Sequence, residues 1–203
     1  SGDFTYRDGD QLESGDRLDL SVGGTFTNHG TLESAGSLNL AAGNVINTGT
    51  INASNDSGTG VNRISASGAI DNRAGARIEG DTVELSARDL TNTGDIVGDV
   101  VGILADTLTN GRDLGTALAA RDYGEGFIGA ADYLELRVGQ RLSNRDGEIF
   151  SGGDLLIGGR TEGIRTALLE NISGRIQSEG DLVVAADRIE NVRRVLDYQQ
   201  RAL

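Results

Sequence analysis

Apolar and polar residues alternate in short bursts along this chain. Leu18 and Leu20, Leu38 and Leu40, Val83 and Leu85, and Val101 and Ile103 each flank a single polar or small residue. A period of two over three to five residues predicts short, half-buried β-strands. No stretch sustains the i, i+3, i+4, i+7 spacing of an amphipathic helix. The bursts are separated by glycine, asparagine and aspartate, which predict turns, many of them needing positive φ.

The bursts belong to a repeat. One phrase runs apolar–x–Asn, a short gap, Gly, then Leu or Ile. It occurs as Phe26-Thr27-Asn28-His29-Gly30-Thr31-Leu32, as Val45-Ile46-Asn47-Thr48-Gly49-Thr50-Ile51 and as Leu90-Thr91-Asn92-Thr93-Gly94-Asp95-Ile96. The anchors are Asn28, Asn47, Asn72, Asn92, Asn110, Asn144, Asn171 and Asn191, separated by 19, 25, 20, 18, 34, 27 and 20 residues. A second phrase, Gly-Asp followed by two spaced apolar residues, falls between them, as in Gly80-Asp81 with Val83 and Leu85.

A unit of about twenty residues holding three short strands is too small for a βα repeat. In a leucine-rich repeat the Asn follows the Leu pair more closely than the seven residues seen here. The pattern predicts an all-β chain wound as a right-handed parallel β-helix of about eight coils, with inward residues such as Leu12, Leu18, Leu20 and Phe26. Eight coils would make a rod of roughly 38 Å. The Asn column is read as structural, side chains bonding from coil to coil, with Asn92→Ala costing about 1–2 kcal/mol. The recurrent Asp is read as capping turn amides, since the calcium-binding nonapeptide frame is absent.

The repeat occupies residues 1–191, with insertions near 52–62, 111–131 and 158–168. The first is expected to be a flexible excursion and the second to hold a helical turn or two at 114–121. The second and third, in consecutive coils, are expected to lie side by side. They carry the candidate receptor contacts Arg121, Tyr123, Phe127, Arg160 and Arg165. Residues 192–203 leave the pattern, as a cap or the start of a further region.

Composition narrows the chemistry. The net charge of −13 and pI near 4.4 argue against nucleic-acid partners and acidic membranes. There is no Cys, hence no disulfide or thiolate metal site, and the single His29 rules out a two-histidine site. No catalytic residue, metal ligand or cofactor is predicted. Acidic residues such as Glu33 and Glu79 are the residual candidates for general acid–base work beside aspartates of the next coil. The longest apolar run, at 100–105, is far short of a membrane span. The start, Ser1-Gly2-Asp3-Phe4, has no basic region followed by an apolar stretch, which places any export signal outside these residues.

The phrases Leu90-Thr91-Asn92-Thr93-Gly94-Asp95-Ile96 and Asn171-Ile172-Ser173-Gly174-Arg175-Ile176, with their recurrence from about Leu12 to Asn191, resemble the repeats of filamentous haemagglutinin-like exoproteins, which include the contact-dependent growth inhibition effectors (CdiA) of Gram-negative bacteria. The resemblance implies a two-partner secretion substrate, threaded through an outer-membrane transporter and folded at the cell surface. It implies a stalk without enzymatic activity that projects a distal receptor-binding or toxin region towards a neighbouring cell. The alternatives are an adhesin that binds a receptor through the insertions and a polysaccharide-active β-helix enzyme. Open ends would also let the fragment associate with copies of itself, end to end or by its edges.

Overall fold

The computed structural model describes residues 2–113 and 125–193. The described residues form nineteen strands and no helix, so the chain is all-β. Every pairing between strands is parallel. Each strand is bonded to the one a repeat earlier and the one a repeat later, so the partners of a residue are its equivalents in the neighbouring units.

Three stacks result. The first holds Gln11–Ser14, Thr31–Ser34, Thr50–Ala53, Arg77–Gly80 and their successors. The second holds the Gly-Asp phrase, in which Leu38 pairs with Leu18 on one side and Asn62 on the other. The third holds the Asn phrase, in which Asn92 pairs with Asn72 and Asn110. In the middle of the chain the three segments fuse into the long strands Asp95–Gly111 and Phe127–Arg145, which contribute to all three stacks in turn.

The alternation explains the core. In the first stack Leu32, Ile51, Ile78, Ile96, Ile128 and Ile149 are all fully buried. In the third, Phe26, Val45, Ile70, Leu90, Leu108 and Leu142 lie one above another, Leu90 only 1% exposed and the rest 0%. The second stack adds two columns, among them Leu38 and Leu40, Val101 and Ile103, and Leu155 and Ile157. No repeat buries its apolar face alone; each is covered by its neighbours. Leu12, Leu18 and Leu20, in the first units, are only partly buried against this core.

Asn62 breaks the pattern. It occupies a core position between Leu38 and Val83, fully buried, and donates through Nδ2 to Ile51 O at 3.0 Å and Glu79 O at 2.8 Å. Its Oδ1 has no hydrogen-bond partner.

The positive φ expected of the turn residues is found in three Asn phrases, at Gly75, Asp146 and Ser173, and is corrected for the others. Positive φ among the described residues is confined to Gly9, Gly58, Gly75, Gly111, Gly126, Gly163, Asp146 and Ser173. The repeat's asparagines end strands with ordinary backbone angles, and Gly30, Gly49, Gly94, Gly147 and Gly174 are not left-handed either. These glycines answer to crowding. A Cβ on Gly147 would stand 2.7 Å from Asn110 Nδ2 and 2.8 Å from Gly126 O. Backbone of the preceding unit at Gly30, Gly49 and Gly94, and the file's asparagine amides at Gly147 and Gly174, fill the space a side chain would need.

The insertions leave from three different junctions. Residues 54–60 connect the first stack to the second. Residues 112–126 run from the third stack to the first. Residues 159–165 run from the second to the third. The second and third insertions thus leave from different junctions, and most of the second lies outside the described residues. The possible helical turn at 114–121 lies outside the described residues. The first insertion is also less free than expected: Asp81 Oδ2 accepts from Asn55 N at 3.1 Å and Gly60 N at 2.6 Å, holding both ends of the loop.

Candidate functional site

The eight asparagines form one hydrogen-bonded file. Each Nδ2 donates to the Oδ1 of the next: Asn28 to Asn47 at 2.8 Å, Asn47 to Asn72 at 2.9 Å, Asn72 to Asn92 at 2.8 Å, and Asn92 to Asn110 at 2.8 Å. The file continues from Asn110 to Asn144 and Asn144 to Asn171, both at 2.9 Å, and reaches Asn191 at 3.0 Å. All seven steps point the same way. The second Nδ2 hydrogen binds a carbonyl of the neighbouring unit, as from Asn47 to Arg77 O and Asn72 to Asp95 O. Asn28 through Asn144 are wholly buried, so the amides cross between units where water cannot satisfy them.

A residue that the Asn pattern passes over stacks on the first asparagine. Tyr6 pairs with Asn28 in register, is 5% exposed, and donates its hydroxyl to Thr31 O at 3.1 Å. Asn28 makes the corresponding bond to Thr50 O one unit on. The phenol thus supplies the carbonyl bond of an asparagine amide, while the amide-to-amide file starts at Asn28. Burial, ahead of the neighbouring carboxylates, pushes its pKa up and keeps it a donor.

Of the expected receptor contacts, Arg121 and Tyr123 lie outside the described residues. The other three are not gathered into one patch. Phe127 starts a strand of the first stack, with its ring over Gly129, where a Cβ would collide with it. Arg160 crosses Gly139 and pairs with Asp106 at 2.6 Å, two units back. Arg165 donates to Ala186 O at 3.3 Å. Both arginines tie their loop to neighbouring units. Among the described residues no cluster of three potential metal ligands occurs. Glu33 lies between Glu13 and Asn52, and Glu79 between Asn52 and Val97; Glu79 shares Arg77 with Asp95 of the next unit, the guanidinium standing between the two carboxylates. Asp154 accepts from Asp181 N at 2.8 Å, the turn-capping role read for the Gly-Asp phrase.

One buried carboxylate has a defined electrostatic role. Glu170, 8% exposed, accepts from Arg141 Nε at 2.9 Å and Ser143 Oγ at 3.1 Å, with Arg145 3.5 Å away. Burial pushes its pKa up, but the bonds from Arg141 and Ser143 and the two guanidinium charges outweigh this and hold it below the usual 4.5. A group so depressed stabilises the fold above its unfolded pKa and loses that contribution as the pH falls through the folded value. Glu170→Gln is expected to lower the urea midpoint at pH 7, with the gap to wild type narrowing below about pH 4.5 and closing at more acid pH. A gap independent of pH would assign Glu170 a purely steric role.

The second stack also carries a recess on its outer surface, of about 480 Å³. Its middle is Gly102, paired between Glu84 and Glu135, with no atom within 4 Å of where a Cβ would stand. Val100, Leu104 and Tyr133 line it together with two ion pairs, Arg63–Glu84 at 2.7 Å and Glu135–Arg137 at 2.6 Å. Sequence reasoning did not single out this feature, yet it left a trace. The apolar run at 100–105 is where alternation fails, and a strand apolar on both faces must be covered or must form a surface strip.

Parallel strands stacked a repeat apart, with small and polar residues fixed at the junctions, define a repeat protein whose core is shared between neighbouring units. The haemagglutinin repeat family matches residues 5–74, 57–146 and 123–197, and the chain belongs to that family. Haemagglutinin repeats are β-helical, and the family is structural and adhesive rather than enzymatic. Its proteins are typically two-partner secretion substrates, found secreted or at the cell surface. No curated protein and no solved structure matches the chain. No helix among the described residues is long and apolar enough to cross a membrane.

Proposed function

We propose that this chain is a non-enzymatic stalk segment of a filamentous haemagglutinin- or CdiA-type exoprotein, wound as a right-handed β-helix of about eight coils. Its task is reach: it projects a distal receptor-binding or toxin region from the bacterial surface towards another cell. An outer-membrane transporter of the two-partner type handles it during export.

The observation that carries this reading is the unbroken asparagine file. A load-transmitting stalk needs every unit fixed to the next, and here each step from Asn28 to Asn144 adds a buried amide bond and a carbonyl bond to the backbone ladder. Family membership supports the same conclusion. The candidate contacts Arg160 and Arg165 are occupied by bonds between units, which favours a stalk over direct adhesion through the insertions.

The test is removal of residues 112–125 and, separately, 159–165 from the full-length exoprotein. Gly111 and Gly126 lie against each other, so the first gap closes readily. Secretion and cell attachment are expected to persist in both variants. Normal secretion with attachment reduced to background would replace the stalk reading by the adhesin one.

A further inference from the structure

We infer that the recess over Gly102 is a binding site for a cationic side chain, a lysine or arginine of a basic partner polypeptide, laid along the apolar strip with its charge between Glu84 and Glu135. The inference goes beyond the stalk reading and does not depend on it.

The shape comes from one missing side chain. Outward positions of the second stack carry Arg63 and Glu84 before Gly102 and Glu135 after it, so Gly102 opens a gap in a continuous row. Val100 and Leu104 border the gap along the strand, and Tyr133 stands beside Val100 in the next unit. An aliphatic stem gains by covering such a strip, while its charged end remains at the rim. The tyrosine ring adds attraction for a cation over its face.

The charge of the rim selects the occupant. Glu84 and Glu135 face each other across Gly102, and each engages its arginine through one oxygen, Oε2 of Glu84 and Oε1 of Glu135. Asp99 and Asp132, both exposed, immediately precede Val100 and Tyr133. The lining itself holds two glutamates and two arginines, so the preference for a cation comes from the second oxygen of each glutamate and from the chain's net charge of −13, which steers cations towards the surface. The phenol of Tyr133 is held neutral, its pKa raised by burial and then by Glu135.

The experiment is an amide NMR titration of the whole chain with tetra-arginine amide, repeated with tetraglutamate and with maltotetraose. Tetra-arginine is expected to shift the amides of 100–104 and 133–137 first and most. Gly102→Leu fills the gap where a Cβ meets nothing. It should raise the dissociation constant about tenfold or more, with the thermal midpoint unchanged. Tetraglutamate should have no effect. Three results would overturn the proposal: shifts spread evenly over all acidic surfaces, equal affinity in Gly102→Leu, or the same amides moving with maltotetraose. The last would make the occupant a neutral saccharide.

Discussion

Gly147→Ala is expected to destabilise the chain by about 3 kcal/mol, because the added methyl group would press on the asparagine file itself. The added carbon would stand 2.7 Å from Asn110 Nδ2, 2.8 Å from Gly126 O and 2.9 Å from Asn144 Oδ1. None of these atoms is free to retreat. Gly126 O accepts the backbone bond from Glu148 N at 2.9 Å. Asn110 Nδ2 is bound to Gly126 O, Asn144 Oδ1 and Glu148 O at once. Relief therefore requires the two units to part, which breaks the asparagine file and the ladder together. Two other glycines provide the controls. Gly75 has φ +79° and open space around it, so its alanine variant should cost about 1 kcal/mol through backbone strain alone. Gly102→Ala should be neutral. Urea midpoints followed by far-ultraviolet circular dichroism test the order, and a Gly147 variant as stable as wild type would refute the crowding argument.

Asn92→Ala is the second large effect, and the structure raises it above the sequence-based 1–2 kcal/mol to about 3 kcal/mol. Asn92 accepts from Asn72 at 2.8 Å and donates to Asn110 Oδ1 at 2.8 Å and Phe127 O at 3.0 Å. Its loss strands Asn110 Oδ1 in a site with no access to water and leaves a cavity beside it. Asn191→Ala should cost little by comparison, because Asn191 is exposed and only accepts from Asn171. The two residues share the same phrase, so their difference is one of depth in the stack. Equal midpoints for the two variants would show that the file contributes no more at its centre than at its end.

Strand formation, the repeat length and the identity of the asparagine column are local or periodic properties, and the sequence carries them openly. Alternation marks which side of Leu90 or Ile103 faces inward whatever lies beyond. Recurrence every twenty residues or so brings equivalent positions into register once any two units pair, because slipping by one residue would turn every inward side chain outward.

Other features depend on which atoms twenty or more residues apart come into contact. Gly30, Gly49, Gly94, Gly147 and Gly174 look like turn residues, and only the stacked units show that they are required by close approach. Tyr6 does not match the Asn phrase, and only its register with Asn28 reveals that it stacks on the first asparagine. The departure points of the three insertions follow from the order of stacks, which spacing alone does not distinguish. Asn62 falls inside the core although its neighbourhood reads as a polar insertion. The recess at Gly102 exists because neighbours on both sides keep the side chains that Gly102 lacks. A one-dimensional pattern determines which residues turn inward; crowding, amide polarity and surface relief are decided only when one unit is laid upon the next.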